Sequence, residues 1–274
     1  MKGVGGLRRG IGRYTRSMAP AACEDTPVSN RLLAKPGSHP CASVAAMLDA
    51  KGVAYSRVDL VPALARLWLR ATGFRRGTVP ALRLDGVRVQ GTGAIARALD
   101  ARWPEPPLFP ADPGARARVE EIEAWGDGPL QELARRINLW ALRRCRPAVR
   151  AALEGARLQF HLPVGIAGLV ARPFLRLDGF INGANTDAVR ADLAALPGML
   201  DHVDSWIKSG DVGADAANAA AYQLAGSLRL LLTFEDLAPL LEDRPAGALA
   251  RRLIPVHPGR VPPGVLPAEW LPRA

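Results

Sequence analysis

Residues 31–60 read RLLAKPGSHPCASVAAMLDAKGVAYSRVDL, and this stretch decides the fold. A short apolar run from Arg31 to Ala34 has strand character and stops at the Pro36-Gly37 turn. A helical period follows, with Val44, Met47 and Leu48 on one face, and it ends near Gly52. A second strand is expected from Tyr55 to Leu60. Outward from this unit, an apolar helix is expected from Pro62 to Ala71, then a loop from Gly73 to Gly77 holding Arg75 and Arg76. The next stretch, VPALRLDGVRVQGTGAIARALDAR over 79–102, splits at Asp85-Gly86. Two residues of that type between alternating apolar runs signal a tight hairpin joining Val79–Leu84 to Val87–Gln90. A helix from Thr92 to Arg102 completes the order βαβαββα, which describes a small mixed sheet flanked by helices.

Trp103 to Pro113 holds five prolines, breaks any helix and reads as a linker over 104–112. Beyond it the period is helical throughout. Val119, Ile122 and Trp125 share a face, as do Leu130, Leu133, Ile137 and Trp140, with Gly126 to Pro129 read as a break or kink between them. Further helices are expected at Pro147–Leu158, Thr186–Lys208, Asp215–Thr233 and Ala246–Leu253. The fold class is therefore α+β followed by all-α: a sheet domain over 30–103 and a helical bundle domain over 113–274. Residues 1–29 show neither period and are expected to be a flexible basic extension. Trp125, Trp140, Trp206 and Tyr222 fall at helical spacings and read as core.

Composition limits the function. The 274 residues are 49% hydrophobic and 23% charged, which suits packed domains and excludes a disordered chain. Cys23, Cys41 and Cys145 are too few for a disulfide framework and have no zinc-site spacing, so no metal is expected. The net charge is +10, and only Lys2, Lys35, Lys51 and Lys208 are lysines among the 36 basic residues. The arginines are not interleaved with aromatic rings, so nucleic acid is not the expected partner. The run Leu162–Ala171 is about half the length of a membrane-spanning helix and is broken by Pro163, Gly165 and Gly168. No secretion signal is evident, and a cytoplasmic protein without membrane partners is expected.

The ordered motifs resemble the glutathione S-transferase family. Ser38-His39-Pro40-Cys41 lies where the thioredoxin-like fold carries its CxxC pattern, with Ser38 at the first position and Cys41 at the last. Lys51-Gly52-Val53 resembles the turn that ends the first helix. Thr78-Val79-Pro80-Ala81-Leu82 resembles the element with a cis proline opposite the active site, and Thr92-Gly93-Ala94-Ile95 resembles the start of the third helix, which holds the γ-glutamyl carboxylate. The resemblance implies a thioredoxin-like N-terminal domain, glutathione as co-substrate, a small-molecule electrophile, a homodimer and a detoxifying transferase activity. It makes Ser38 the catalytic residue and places glutathione on Val79, Pro80 and Thr92; Arg76, with Arg75, is a candidate for a ligand carboxylate by its place just before that strand, against the plain reading of a solvated loop arginine. Gly91 and Thr78 stand where many members carry Glu or Gln and Lys or Arg. The alternative is a binding or scaffold protein that keeps the fold without catalysis.

The residues themselves state what such chemistry needs. A thiol is only a few per cent ionised at neutral pH, and lowering its pKa by two units takes about 2.7 kcal/mol. A hydroxyl at Ser38 and the positive end of the helix starting near Pro40 together match that requirement. The same Ser before Pro is also an ordinary helix cap, and Thr92 likewise reads as a cap or as a carboxylate site. Cys41, one turn into the helix, is expected to be a buried, sluggish thiol. Asp215-Ala216-Ala217-Asn218 resembles a structural N-capping box of the helical half.

Overall fold

The computed structural model describes residues 29–62, 64–158, 164–213 and 216–272; almost all of the basic N-terminal extension lies outside them. Four strands, β1 (Arg31–Ala34), β2 (Ser56–Asp59), β3 (Ala81–Leu84) and β4 (Val87–Gln90), form one sheet in the order β2-β1-β3-β4. β2 runs parallel to β1, whereas β3 and β4 are antiparallel to their neighbours. The β3–β4 hairpin turns on Asp85 and Gly86, both with positive φ, as a two-residue loop of this hand requires.

Alternation along β1 sends Leu32 and Leu33 to opposite faces, and both are buried. Leu32 joins Val44, Met47 and Leu48 of α1 (His39–Ala50) and Ile95 and Leu99 of α3 (Thr92–Arg102). Leu33 instead meets Ala65 and Leu69 of α2 (Ala65–Ala71), with Phe74 beside them. The Lys51 expected at the end of the first helix is buried, and its ammonium lies 3.0 Å from Asp100 Oδ1. That carboxylate also accepts from the Leu108 N–H at 2.7 Å, so one ion pair ties α1, α3 and the proline-rich connection together.

The second half consists of α4 (Pro113–Trp125), α5 (Gln131–Arg144), α6 (Arg146–Leu153), α7 (Val164–Ile181), α8 (Thr186–Lys208), α9 (Ala219–Leu231), α10 (Ala238–Leu241) and α11 (Pro245–Leu253). The break expected at Gly126–Pro129 is instead a single π turn, Gly126–Leu130, through which α4 runs on into α5. Pro129 lacks an N–H, and the wider turn absorbs the missing bond. Gly126 at this point lies against Gln223 and Leu224 of α9, where a Cβ would come within 3.0 Å of Gln223 Cγ. The helix α7 was not expected at all: three glycines and a proline lower its propensity, and packing against α5 and α6 overrides them. The helices share one core with the α1 face of the sheet. Gly226 of α9 makes this approach possible, since a Cβ there would run into Ser43 Oγ and lie 2.8 Å from His39 O. Trp140, Trp206 and Tyr222 are buried in that core, and Trp125 packs on it.

Candidate functional site

The sheet register explains why residues far apart in sequence meet. Because Leu33 pairs with Ala81 and Ala81 with Gln90, the chain after β1, before β3 and after β4 emerges at one end of the sheet. Ser38 belongs to the first segment, Val79-Pro80 to the second and Thr92 to the third. The Gly91 N–H donates to Pro80 O at 3.0 Å, fastening the last two together. The Val79–Pro80 bond is cis. Among the described residues the Val79 N–H and C=O have no backbone partner, so an extended edge is left open here.

Ser38 is the residue before α1, with extended backbone and Pro40 in the first turn, yet its side chain caps no N–H of the helix. The hydroxyl lies close enough to the Cys41 thiol to act on its pKa. Cys41 is wholly buried; burial pushes its pKa up, against the opposing pull of the Ser38 hydroxyl and the Lys35 backbone. Cys41 is therefore a neutral thiol. The structure thus removes the capping role for Ser38. It also corrects the one for Thr92: the residue before α3 is Gly91, at φ 90, and Thr92 is the first helical residue. Thr92 is 4% exposed, and its hydroxyl makes no hydrogen bond among the described residues.

Arg75 and Arg76 lie exposed in the loop ahead of β3. The Arg76 backbone is held by Gln90, whose Oε1 accepts from Arg76 N at 2.9 Å and whose Nε2 donates to Arg76 O at 2.8 Å. The Arg76 guanidinium has no ion pair among the described residues, so the loop positions it without using its charge.

Three groups absent from the expected site come from the long α4–α5 helix and from α1. Glu123 is buried; its Oε2 takes a 2.8 Å ion pair from Arg97, while Oε1 has no partner among the described residues. Burial, only partly offset by Arg97, pushes its pKa up. A Cβ on Gly93 would lie 3.0 Å from that Oε1, so this carboxyl borders the first turn of α3. Arg135 is largely desolvated, which lowers its pKa. Among the described residues it makes no ion pair within 4.0 Å, and its side chain donates to Asn182 Oδ1 at 3.4 Å. Its charge acts on His39, the neighbour of Ser38, whose pKa is driven well down by burial first and then by Arg135 and His257. The sequence carries one sign of this face: Asp127, Gln131 and Arg135 recur every fourth residue.

The helical half also closes one side of the turn that carries Ser38. Ala152 touches Gly37. The Arg157 N–H donates to Asp59 Oδ2 at 2.9 Å, Leu158 bridges to Asp59 beyond the edge strand, and Lys35 pairs with Asp178 of α7 at 3.6 Å. A cavity of only about 30 Å³ remains beside Pro36 and Gly37.

Comparison with known proteins places this geometry. Residues 32–107 match the family model described as glutathione S-transferase, N-terminal domain. A search of curated proteins gave no match. Among solved structures, FzlA from C. crescentus is 18% identical with a TM-score of 0.56, covering 89% of this chain and 98% of its own. A glutathione S-transferase from Rhodospirillum rubrum F11 is 20% identical at 0.54, covering 84% and 96%. The theta class glutathione S-transferase from Xanthomonas axonopodis pv. citri, solved with glutathione bound, is 16% identical at 0.51, covering 82% and 91%. With a sheet domain that matches the N-terminal domain model of the glutathione S-transferases and a helical half that follows the same solved architecture, the chain has the glutathione S-transferase fold.

Proposed function

We propose that the protein binds glutathione as a co-substrate and transfers it to a small electrophile. The observation that carries this reading is the meeting, at one end of the sheet, of the Ser38 hydroxyl before an uncapped helix, the open edge at Val79 and Thr92 at the start of α3. The peptide backbone of glutathione pairs with the open edge at Val79, and its γ-glutamyl carboxylate meets the first turn of α3 at Thr92. Arg76 reaches the ligand's carboxylate from the adjacent loop. The sulfur then lies at Ser38, where the donated hydrogen bond and the N-terminal dipole of α1 favour thiolate. The thiolate attacks the electrophile, a carbon–sulfur bond forms, and the leaving group departs with its electron pair. Arg135, a largely desolvated cation with no close ion pair among the described residues, stabilises the negative charge that moves between sulfur and leaving group.

Disulfide reduction is not the chemistry this arrangement favours. A reductase needs a low-pKa cysteine at the first motif position, and that position is a serine, while Cys41 is buried and held protonated. A second reading has its own observation: the Glu123 carboxyl already borders the first turn of α3, where a ligand carboxylate would have to sit. It favours a binding or scaffold protein of this fold that does not turn thiols over. Isothermal titration with glutathione, run beside conjugation of glutathione to a chloronitroarene, separates the two. Binding with turnover supports the transferase; a folded protein that neither binds nor turns over glutathione overturns it in favour of the second reading.

A further inference from the structure

The helix α7 presents its apolar side outward. Ile166, Leu169, Val170, Leu177, Phe180 and Ile181 are 38–83% exposed, with Phe180 at the upper end. At 3.6 residues per turn they fall within an arc of about 120° and run for about 22 Å along the helix. Buried positions on the same helix, Ala171 and Gly179, face the other way, onto the protein. Scattered exposed apolar residues need no explanation, whereas a continuous stripe of six does.

The stripe is bordered by arginine. Arg172 and Arg176 of α7, with Arg143 and Arg144 of α5 and Arg146 and Arg150 of α6, line a cavity of about 340 Å³ that contains no acidic side chain. Its remaining wall is aliphatic and includes Leu142, Val149 and Leu175. These arginines are poorly neutralised. Arg143 donates to Ala184 O and keeps a buried Nε without a partner among the described residues, and Arg144 stacks on the Trp140 ring at 3.8 Å. Burial and the adjacent Arg143 charge both lower the Arg144 pKa. The one carboxylate of α7, Asp178, is engaged by Lys35. A second copy docked face to face here would set one arginine cluster against another.

From this juxtaposition we propose that the α7 face docks on an anionic lipid bilayer, with the apolar stripe lying in the headgroup–acyl boundary and a lipid phosphate held in the arginine-lined cavity. Guanidinium donors match phosphate oxygens in pairs. A helix with one apolar face and a basic flank lies in the plane of a membrane surface. No helix among the described residues is long and apolar enough to cross a membrane, which concerns spanning and leaves surface docking open.

Flotation of the full-length protein with vesicles tests this. Vesicles of phosphatidylcholine with phosphatidylglycerol should carry the protein, and vesicles of phosphatidylcholine alone should not. Leu177→Asp with Phe180→Asp should lower affinity for the anionic vesicles at least about tenfold. Arg172→Gln with Arg176→Gln should lower it by a similar factor and flatten its dependence on salt. Both pairs alter exposed residues and keep residues 1–28 intact, so the basic N-terminus is constant in every arm. The proposal is overturned if both vesicle types float the protein equally, if neither does, or if folded variants of both pairs bind like wild type. It is also overturned if sedimentation shows lipid-independent self-association that the Asp pair abolishes, because a second copy then covers the face.

Discussion

The helix N-termini of this molecule divide into two kinds. Three long helices of the second half supply their own acceptors: Asp112, Asn185 and Asn218 each take the N–H three residues on, at 2.8, 2.8 and 3.0 Å. The two helices that point at the end of the sheet do not. Ser38 ahead of α1 and Gly91 ahead of α3 make no side-chain cap bond. A cap contributes about 1 kcal/mol, so the chain forgoes that stability at the ends where an incoming anion would use the free N–H donors. Local stabilisation and ligand binding compete for the same groups, and the molecule resolves the competition one way at α4, α8 and α9 and the other way at α1 and α3.

Acid provides the strongest way to press on the uncapped end of α1. His39 in its first turn and the neighbouring His257 are buried, and burial lowers both pKa values, that of His257 to about 4. An unfolded chain takes up these protons near pH 6.5. The stability from keeping the rings neutral is therefore complete above that pH and is lost as pH falls toward 4, by up to about 3 kcal/mol for His257. Urea midpoints should drop between pH 7 and pH 5, and His257→Gln should flatten the trend; midpoints that do not move would contradict the assignment.

Next in size is Ser38→Ala. It should lower conjugation roughly ten- to hundredfold, the equivalent of about 1.4 to 2.7 kcal/mol of thiolate stabilisation, and leave the melting temperature unchanged because no cap is lost. A fall in melting temperature without loss of turnover would return Ser38 to the capped class. Asn218→Ala should do the reverse. It loses the Ala221 bond and the 2.8 Å bond its amide donates to Asp211 O, so stability should fall by about 1 to 2 kcal/mol with turnover per folded molecule retained. Differential scanning calorimetry paired with kinetics checks both. The smallest effect is expected from Cys41→Ala: turnover within about threefold of wild type, since the reacting thiolate belongs to the ligand and not to this buried sulfur. Activity abolished by that change and untouched by Ser38→Ala would break the mechanism.

The amino-acid sequence by itself determined the elements whose signals are local. The Asp85-Gly86 hairpin and the bounds of α3 and α8 follow from φ preference, period and capping chemistry within a few residues, and the structure has them at those positions, whereas the helix expected from Asp215 begins at Ala219 with Asn218 as its cap. The order of motifs along 31–102 likewise fixed the sheet and the convergence of Ser38, Val79 and Thr92. Tertiary structure decided the rest. α7 forms despite its glycines and Pro173 because α5 and α6 give it a surface to lie on, and its apolar stripe faces outward where a period alone would have placed it in a core. The chain continues as a helix through Gly126–Leu130 because α9 packs against that turn. Glu123 at α3 and the Arg135 charge acting on His39 depend on which side chains meet across the fold, and a local pattern carries no record of that.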